Sequence, residues 1–241
     1  YATVNPAANA GLVEGMKGLF NPTDTISRQF KNGMMGMGVL GFDEINMSQS
    51  IKQFTTGSRT ATGGTTSAAV TSEGATTIAI TGAGANATVK AGDVFTVADC
   101  YAVNPQTRES TGSLFQFVAT VDVTLNGSGA GNITVAPIYS ASNALATVNS
   151  LPATSKAVTF VGAASSQYPQ NLVYHKDAIT FATADLMMPQ GVDMASRQVH
   201  NGISMRIVRQ YDINNDRMPC RIDVLYGYSV IRPQMGVRLW G

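Results

Sequence analysis

Residues 113–126 read SLFQFVATVDVTLN, and the period of that stretch decides the class of fold. Phe115, Phe117, Ala119, Val121, Val123 and Leu125 fall on one side of a two-residue repeat, with Gln116, Thr120, Asp122, Thr124 and Asn126 on the other. That alternation predicts a half-buried strand. Runs around Ile78 and Ile80, residues 94–97, Ile133 and Val135, and residues 158–161 carry related signals and are separated by Gly, Asn and Ser turns. Five or six such strands make a small barrel or sandwich. The tracts at 63–66 and 82–87 are rich in Gly, Ala and Thr and read as flexible strand-connecting loops or a linker into the module.

Charge sets this block apart from its surroundings. Residues 60–170 carry eight charged side chains, whereas the last 71 residues carry fourteen. A charge-poor, strand-patterned stretch between two mixed segments predicts a β-module inserted into another domain. At 241 residues the chain is long enough to bury a core without disulfides. Its formal net charge of +1 gives no basic face for nucleic acid. With 13% of residues charged and 44% hydrophobic, much of the surface is weakly polar, which points to assembly. Cys100 and Cys220 stand far apart, unlike a disulfide framework, so a reducing compartment is expected. No apolar run approaches the roughly 20 residues of a membrane helix, and no signal pattern opens the chain, which therefore reads as soluble. The first residue is Tyr1 rather than Met, as in a processed or truncated product.

The flanks have their own punctuation. Asn5 and Pro6 form a helix start, followed by Ala8, Leu12, Met16 and Leu19 at helical spacing. Asn21 and Pro22 repeat the start for a second helix carrying Ile26, Phe30 and Met34, which the glycines at 33, 36, 38 and 41 end. Leu172, Ala178, Phe181, Ala182 and Leu186 predict another helix, stopped by Pro189 and Gly191. Beyond it, Ile203, Met205, Ile207, Tyr211 and Ile213 alternate with polar residues, as do Cys220, Ile222, Val224, Tyr226 and Tyr228. These predict an antiparallel hairpin turning at residues 214–217, with charges on its outer face.

Candidate chemistry is sparse. Gly36, Gly38 and Gly41 match G-x-G-x-x-G, but they follow a helical pattern rather than a strand, and no acidic residue stands about 20 positions on. No cofactor is expected. Asp212, Asn214, Asp216 and Asp223 have calcium-loop spacing, but Arg217 occupies the position that needs glycine, so a plain turn is preferred and no metal is expected. His175, His200 and Cys220 are too scattered for a ligand set, and no serine sits in a nucleophile elbow. An enzyme is not expected. Met34, Met35, Met37, Met187 and Met188 cluster beside glycines and a proline, where flexible thioethers fill either a core or a subunit contact. Arg28, Arg206, Arg209, Arg221 and Arg238 are positioned to pair across subunits or to stay solvated.

Three stretches together resemble one family: NPTDTISRQFKNGMMG at 21–36, NLVYHKDAITFATADL at 171–186 and GISMRIVRQYDINNDRMPCRIDVLYGY at 202–228. They resemble the major coat proteins of short-tailed bacteriophages, whose Hong Kong 97-like capsid fold carries an inserted β-domain. The resemblance implies an α+β fold with axial and peripheral domains and an inserted all-β barrel-like domain. It assigns residues 1–59 to the helical part of the body, 60–165 to the insertion and 166–241 to the C-terminal body with its antiparallel hairpin. It implies a self-assembling subunit of hexamers and pentamers, built with scaffolding and portal proteins in the bacterial cytoplasm. The product is an icosahedral virion shell around double-stranded DNA that is not bound sequence-specifically, with no membrane and no catalysis.

On that reading Arg28, Met34, Met35, Met187, Met188, Arg206, Arg209 and Arg221 are the subunit-interface candidates. The inserted module would stabilise the subunit or touch a neighbour through the 82–87 loop. The family's N-terminal arm, extended loop and spine helix do not fit ahead of Tyr1, so the chain reads as the C-terminal part of a longer polypeptide. A β-rich virion-surface or secreted module, adhesin- or fibre-like, is the alternative that the Thr- and Gly-rich strands allow, and the helical segments count against it.

Overall fold

β1 (Ala2–Val4) leads into Asn5, whose Oδ1 accepts the amide of Ala8 at 2.8 Å and caps α1 (Pro6–Gly15). The computed structural model describes residues 1–15, 37–39, 41–137, 139–141 and 146–240. The second predicted helix, with Arg28, Met34 and Met35, lies outside them. α1 lays Ala8, Leu12 and Val13 on buried Ala2, Val4 and Ile45. β2 (Met37–Val39) and β3 (Phe42–Met47) form an antiparallel hairpin that turns through Gly41 at φ +79°. The glycines expected to mark a plain helix exit thus serve, at 38 and 41, a strand and its turn, because glycine alone adopts positive φ without strain.

The chain divides into two units, Tyr1–Ser50 with Asn171–Leu239, and Ile51–Gln170 with Trp240–Gly241. The second is strand-built. β4 (Gln53–Thr55) precedes β5 (Thr65–Thr66), β6 (Thr77–Thr81), β7 (Thr88–Val89), β8 (Val94–Val103), β9 (Ser110–Ala119), β10 (Val123–Thr124), β11 (Gly131–Ala136), β12 (Val158–Phe160) and β13 (Gln167–Pro169). Six of them form a sheet in the order β12-β8-β9-β11-β6-β5. A bridge from Thr65 to Ala157 and a bond from the Val158 amide to the Gly64 carbonyl at 3.0 Å join its two ends, so the sheet closes on itself. Alternate residues point inward: Ile78, Ile80, Phe95, Val97, Phe117 and Ile133 are fully buried. Phe95 packs on Phe117 and Phe160 with ring centres 5.6 and 5.3 Å apart.

Residues 113–126 are not one strand. β9 ends at Ala119, and Val121, predicted inward, is 53% exposed. Asp122 explains the break, since its carboxylate accepts the Ala91 amide at 2.8 Å and the Lys90 ammonium at 2.9 Å. Those bonds draw the chain across to β7, which pairs with β10. The glycine-rich tracts are strand connections, the first of the two expectations: 63–66 runs into β5, and 82–87 joins β6 to β7. A Cβ on Gly64, at φ +72°, would overlap the Thr81 carbonyl, and Ala83 and Ala87 are core residues, so neither side chain is offered to a neighbour. Close backbone approach, not mobility, requires the small side chains there.

One ion pair sits inside this charge-poor unit. Arg59 and Asp93 are both wholly buried and meet at 3.3 Å. Arg59 also donates to the carbonyls of Gly162 at 2.9 Å and Val161 at 2.7 Å, and lies 4.8 Å from the centre of the Phe160 ring. Asp93 accepts the amides of Lys90 at 2.8 Å and Gly57 at 3.1 Å.

After Gln170 the predicted helix at 172–186 is replaced by strands β14 (Asn171–Tyr174) and β15 (Ile179–Ala184). Ile179, Thr180, Phe181 and Thr183 favour a pleated surface, and β18 supplies a full-length partner, so tertiary pairing overrides a coincidental helical spacing. β16 (Met194–His200), which no sequence signal singled out, β17 (Ile203–Arg209) and β18 (Cys220–Val230) follow, then a single 3₁₀ turn at Pro233–Met235 and β19 (Gly236–Leu239). β14 lies between β19 and β1 in the sheet β19-β14-β1-β3-β2; the other four form an antiparallel sheet, β15-β18-β17-β16. Among the described residues the protein is therefore mostly β, with α1 its one α-helix, rather than the expected α+β.

Replacing Arg59 by Met should leave the Asp93 carboxylate buried without its counter-charge and destabilise the 51–170 unit by about 3–5 kcal/mol. Urea unfolding followed by Trp240, the chain's single tryptophan, stacked 4.9 Å from Tyr168, measures this; an unshifted midpoint would refute it.

Candidate assembly surface

Antiparallel pairing places directly opposed side chains on the same face of a sheet. In β15-β18-β17-β16 the register sets Tyr228 opposite Phe181, Val230 opposite Ile179, and Val224 opposite Met205. Ile222 and Tyr226 follow on that face by alternation, as do Ile203 and Met194 at the far strands. All of these side chains are exposed, Tyr228 by 76% and Ile222 by 66%. The rings of Phe181 and Tyr226 stack with centres 5.9 Å apart. Together they leave on the order of 1,000 Å² of apolar surface uncovered, given ~150–250 Å² per aromatic side chain. The largest apolar patch of an ordinary monomer is roughly 300–600 Å².

The opposite face is polar where the ion pairs lie, though Leu225 and Val199 are also exposed on it, and it is crossed by the chain itself. The segment between β15 and β16 passes over it: Asp185 pairs with Arg197 at 3.3 Å, and Arg206 donates to the Met187 carbonyl. Arg206 also meets Asp223 at 2.5 Å, and Arg221 reaches the other oxygen of Asp223 at 2.8 Å. The Arg206 hydrogen bond, then that of Arg221, holds the Asp223 carboxyl below the usual carboxylate range. Arg209, at the end of the apolar face, pairs with Asp193 at 3.0 Å.

The interface candidates thus fall in different places. Arg206 and Arg221 share one carboxylate inside the subunit, and Arg209 is engaged by Asp193. Met187 is 86% exposed and Met188 half-buried, both on the segment that crosses the polar face. Tyr226, Tyr228, Phe181 and Ile222, among the most exposed side chains of the apolar face, were legible as strand residues but not as surface. Alternation says which residues share a face and not whether anything covers it.

The other candidate chemistry disperses. Of the glycine fingerprint, Gly38 and Gly41 lie in the β2–β3 hairpin, with no strand-to-helix turn to cradle a phosphate. Asp212 accepts the Asn214 amide and the Asn215 side chain, Asp216 accepts the Tyr211 hydroxyl, and Asp223 is held by arginines, so the calcium-like spacing is spent on a turn closed by the Asp212–Arg217 bridge. Among the described residues no group of three or more His, Cys, Asp or Glu side chains converges on a metal position. His175 lies beside Asp177 at 3.4 Å, and His200 ends β16. Burial pushes the Cys100 thiol up to about 11, which leaves it inert. No helix among the described residues is long and apolar enough to cross a membrane.

A sheet that turns a continuous aromatic and aliphatic face to solvent belongs to the class of proteins built to be packed against other protein. Residues 1–241 match the family described as P22 coat protein, gene protein 5, and the chain belongs to that family of structural phage coat proteins. It is 28% identical over 163 residues to the major capsid protein of Acyrthosiphon pisum secondary endosymbiont phage 1. That match covers 64% of this chain and 38% of the relative, so the chain spans well under half of the relative's length. Among solved structures, the CUS-3 coat protein I-domain aligns with 40% of this chain and 93% of its own length, at 23% identity and a TM-score of 0.30.

Because the Asp223 carboxyl is held low in the folded chain, it contributes stability above the ordinary carboxylate range and loses it as pH falls through the lowered value. As pH falls below about 4, the ordinary carboxylate value, the unfolding midpoint of the wild type should fall more steeply than that of Asp223→Asn. Parallel curves would show that the arginine cluster contributes nothing.

Proposed function

We propose that the chain is a shell-building part of a phage major capsid protein, and that the apolar face of β15-β18-β17-β16 is buried when the coat assembles. The observation that carries this is the uncovered face: no monomer in water gains by holding Phe181, Ile222, Tyr226 and Tyr228 outside. Obligate interfaces of ~2,000–5,000 Å² have that apolar character. On this reading copies close as hexamers and pentamers into an icosahedral shell, on a Hong Kong 97-like framework with residues 60–165 as an inserted domain. Scaffolding and portal proteins take part in the bacterial cytoplasm. A formal net charge of +1 suits a container for double-stranded DNA, because each cation placed on a phosphate adds salt-dependent affinity that a shell wall does not need. Membership of a coat-protein family takes the ground from the adhesin-like alternative.

Electron microscopy of the expressed coat polypeptide should show closed particles, and their absence under all assembly conditions would end the shell reading. Cys220, exposed on the apolar face, and Cys100, buried in the barrel, supply a built-in comparison. A thiol reagent should label Cys220 in dissociated subunits and at least about tenfold more slowly in particles, with Cys100 protected in both. Particles in which Cys220 reacts as in free subunits would overturn the assignment of this face alone.

A further inference from the structure

The apolar face of β15-β18-β17-β16 is the front of that sheet, and the back, which carries Arg206 and Asp223, has a smaller apolar area of its own. The register sets Val199 opposite Ser204 and Ala184 opposite Leu225, and Met205 opposite Val224 brings Ser204 across from Leu225. These four residues form one row across the back, and Val199 and Leu225 stand exposed in it. Met187, in the segment that crosses the back, is the most exposed large apolar side chain among the described residues. Its place is fixed all the same, because its carbonyl accepts a hydrogen bond from Arg206.

The charges beside that row are engaged within the subunit. Arg197 pairs with Asp185 at 3.3 Å, and Arg206 and Arg221 share Asp223. The side chains of Arg206 and Asp223 are only 14% and 19% exposed, so a surface laid over them removes little further water. Arg221 is far more exposed, and it lies four residues from Leu225 along β18, roughly 14 Å at the rise of a strand, where it stays solvated at the rim.

We propose that copies of the chain associate front to back, the apolar front of one sheet packing over Met187, Val199 and Leu225 on the back of the next. The contact rests on the shell reading and names what covers the front. With on the order of 1,000 Å² of apolar surface, the front exceeds the roughly 800 Å² that one partner brings to a standard interface, which calls for the broad side of another subunit rather than a short peptide. Stacked sheets pack about 10 Å apart, and the Met187 thioether then meets the rings of Phe181, Tyr226 and Tyr228 in favourable sulfur–aromatic contact. Symmetry separates this arrangement from its rival. Two fronts meeting face to face form a two-fold contact that is complete with two copies and leaves no front free. Front to back, every added copy still offers one front and one back, so growth continues until rotation closes a ring. A flexible methionine at the joint tolerates the different angles of rings of five and of six.

Substitutions on the two sides of the sheet, made in the full-length coat polypeptide, test this. A back variant, Met187→Asp with Val199→Asp, should lower particle yield at least about tenfold, since each carboxylate would be buried under an apolar front. A front variant, Ile222→Asp with Tyr228→Asp, should fail likewise. Mixed together, the two should stop at one-to-one dimers in sedimentation, because one keeps only its front and the other only its back. Unfolding midpoints of the dissociated subunits should stay at the wild-type value, as all four side chains face solvent there. Met187→Asp alone, which lies outside every strand, should give the same loss of particles without touching β16. Back variants that assemble as the wild type does, or mixtures that form particles, would overturn the front-to-back contact alone. Front variants that assemble freely would overturn it together with the burial of that face, and wild-type chains that form no particles would sink the shell reading beneath both.

Discussion

Burial of apolar surface is the constraint that this chain meets in two opposite ways. The 51–170 unit curls its sheet until the ends bridge at Thr65 and Ala157, and the inward residues of six strands become one core around Phe95 and Phe117. The four-stranded sheet β15-β18-β17-β16 does not close. Its polar face is crossed by the segment from Asp185 to Asp193, and its apolar face meets solvent. In the unit that contains it, the described core cluster is only Ala2, Val4 and Ile45 with their half-buried neighbours. At about 25 cal/mol per Å², a thousand square ångströms of uncovered apolar surface represents on the order of 25 kcal/mol of unused driving force, much of which association consumes in lost freedom.

Charge enforces this asymmetry. In the barrel the Arg59–Asp93 pair is met by carbonyls and amides from four surrounding backbone positions, with only Arg59 Nε left without a partner among the described residues, so it fixes the approach of the chain at Gly57, Lys90 and residues 161–162 without offering charge outward. On the open sheet Arg206 and Arg221 are drawn to Asp223 on the polar face, and Arg206 also ties down Met187. Arg206 and Arg221 thus tie that face of the sheet together within the subunit. The other face, with few charges to solvate it, is left to be covered.

Period-two alternation made most of the barrel legible, because each of its strands buries one side. Legibility failed where a single polar side chain redirected the chain: nothing in the pattern of Val121, Asp122 and Val123 announces that Asp122 will bind the Ala91 amide and end the strand. It failed again at Leu172, Ala178, Phe181 and Leu186, whose spacing imitates a helix although β18 pairs with the strand from Ile179 to Ala184. β16 escaped notice because its residues, Met194 to His200, are mixed in polarity on both sides, as suits an edge strand. The apolar face was legible residue by residue in Ile222, Val224, Tyr226 and Tyr228. Its exposure was not, since burial is a property of what stands opposite, and sequence alternation is silent about that.

An open apolar sheet is hazardous unless its mode of association is restricted. Free strand edges template further strands, and edge-to-edge growth has no natural end. The two outer strands here answer with polarity: β16 carries Ser196, Arg197 and Gln198, and β15 carries Thr180 and Thr183, with Asp185 just beyond its end. Thr183 is further occupied by a hydrogen bond to the Gly202 carbonyl at 2.6 Å. Association through the face is left as the favourable route, and a face can be covered once and then closed. On the proposed shell reading, geometry of that kind would suit a container of defined size, because a face covered by a fixed set of neighbours does not recruit strands without limit.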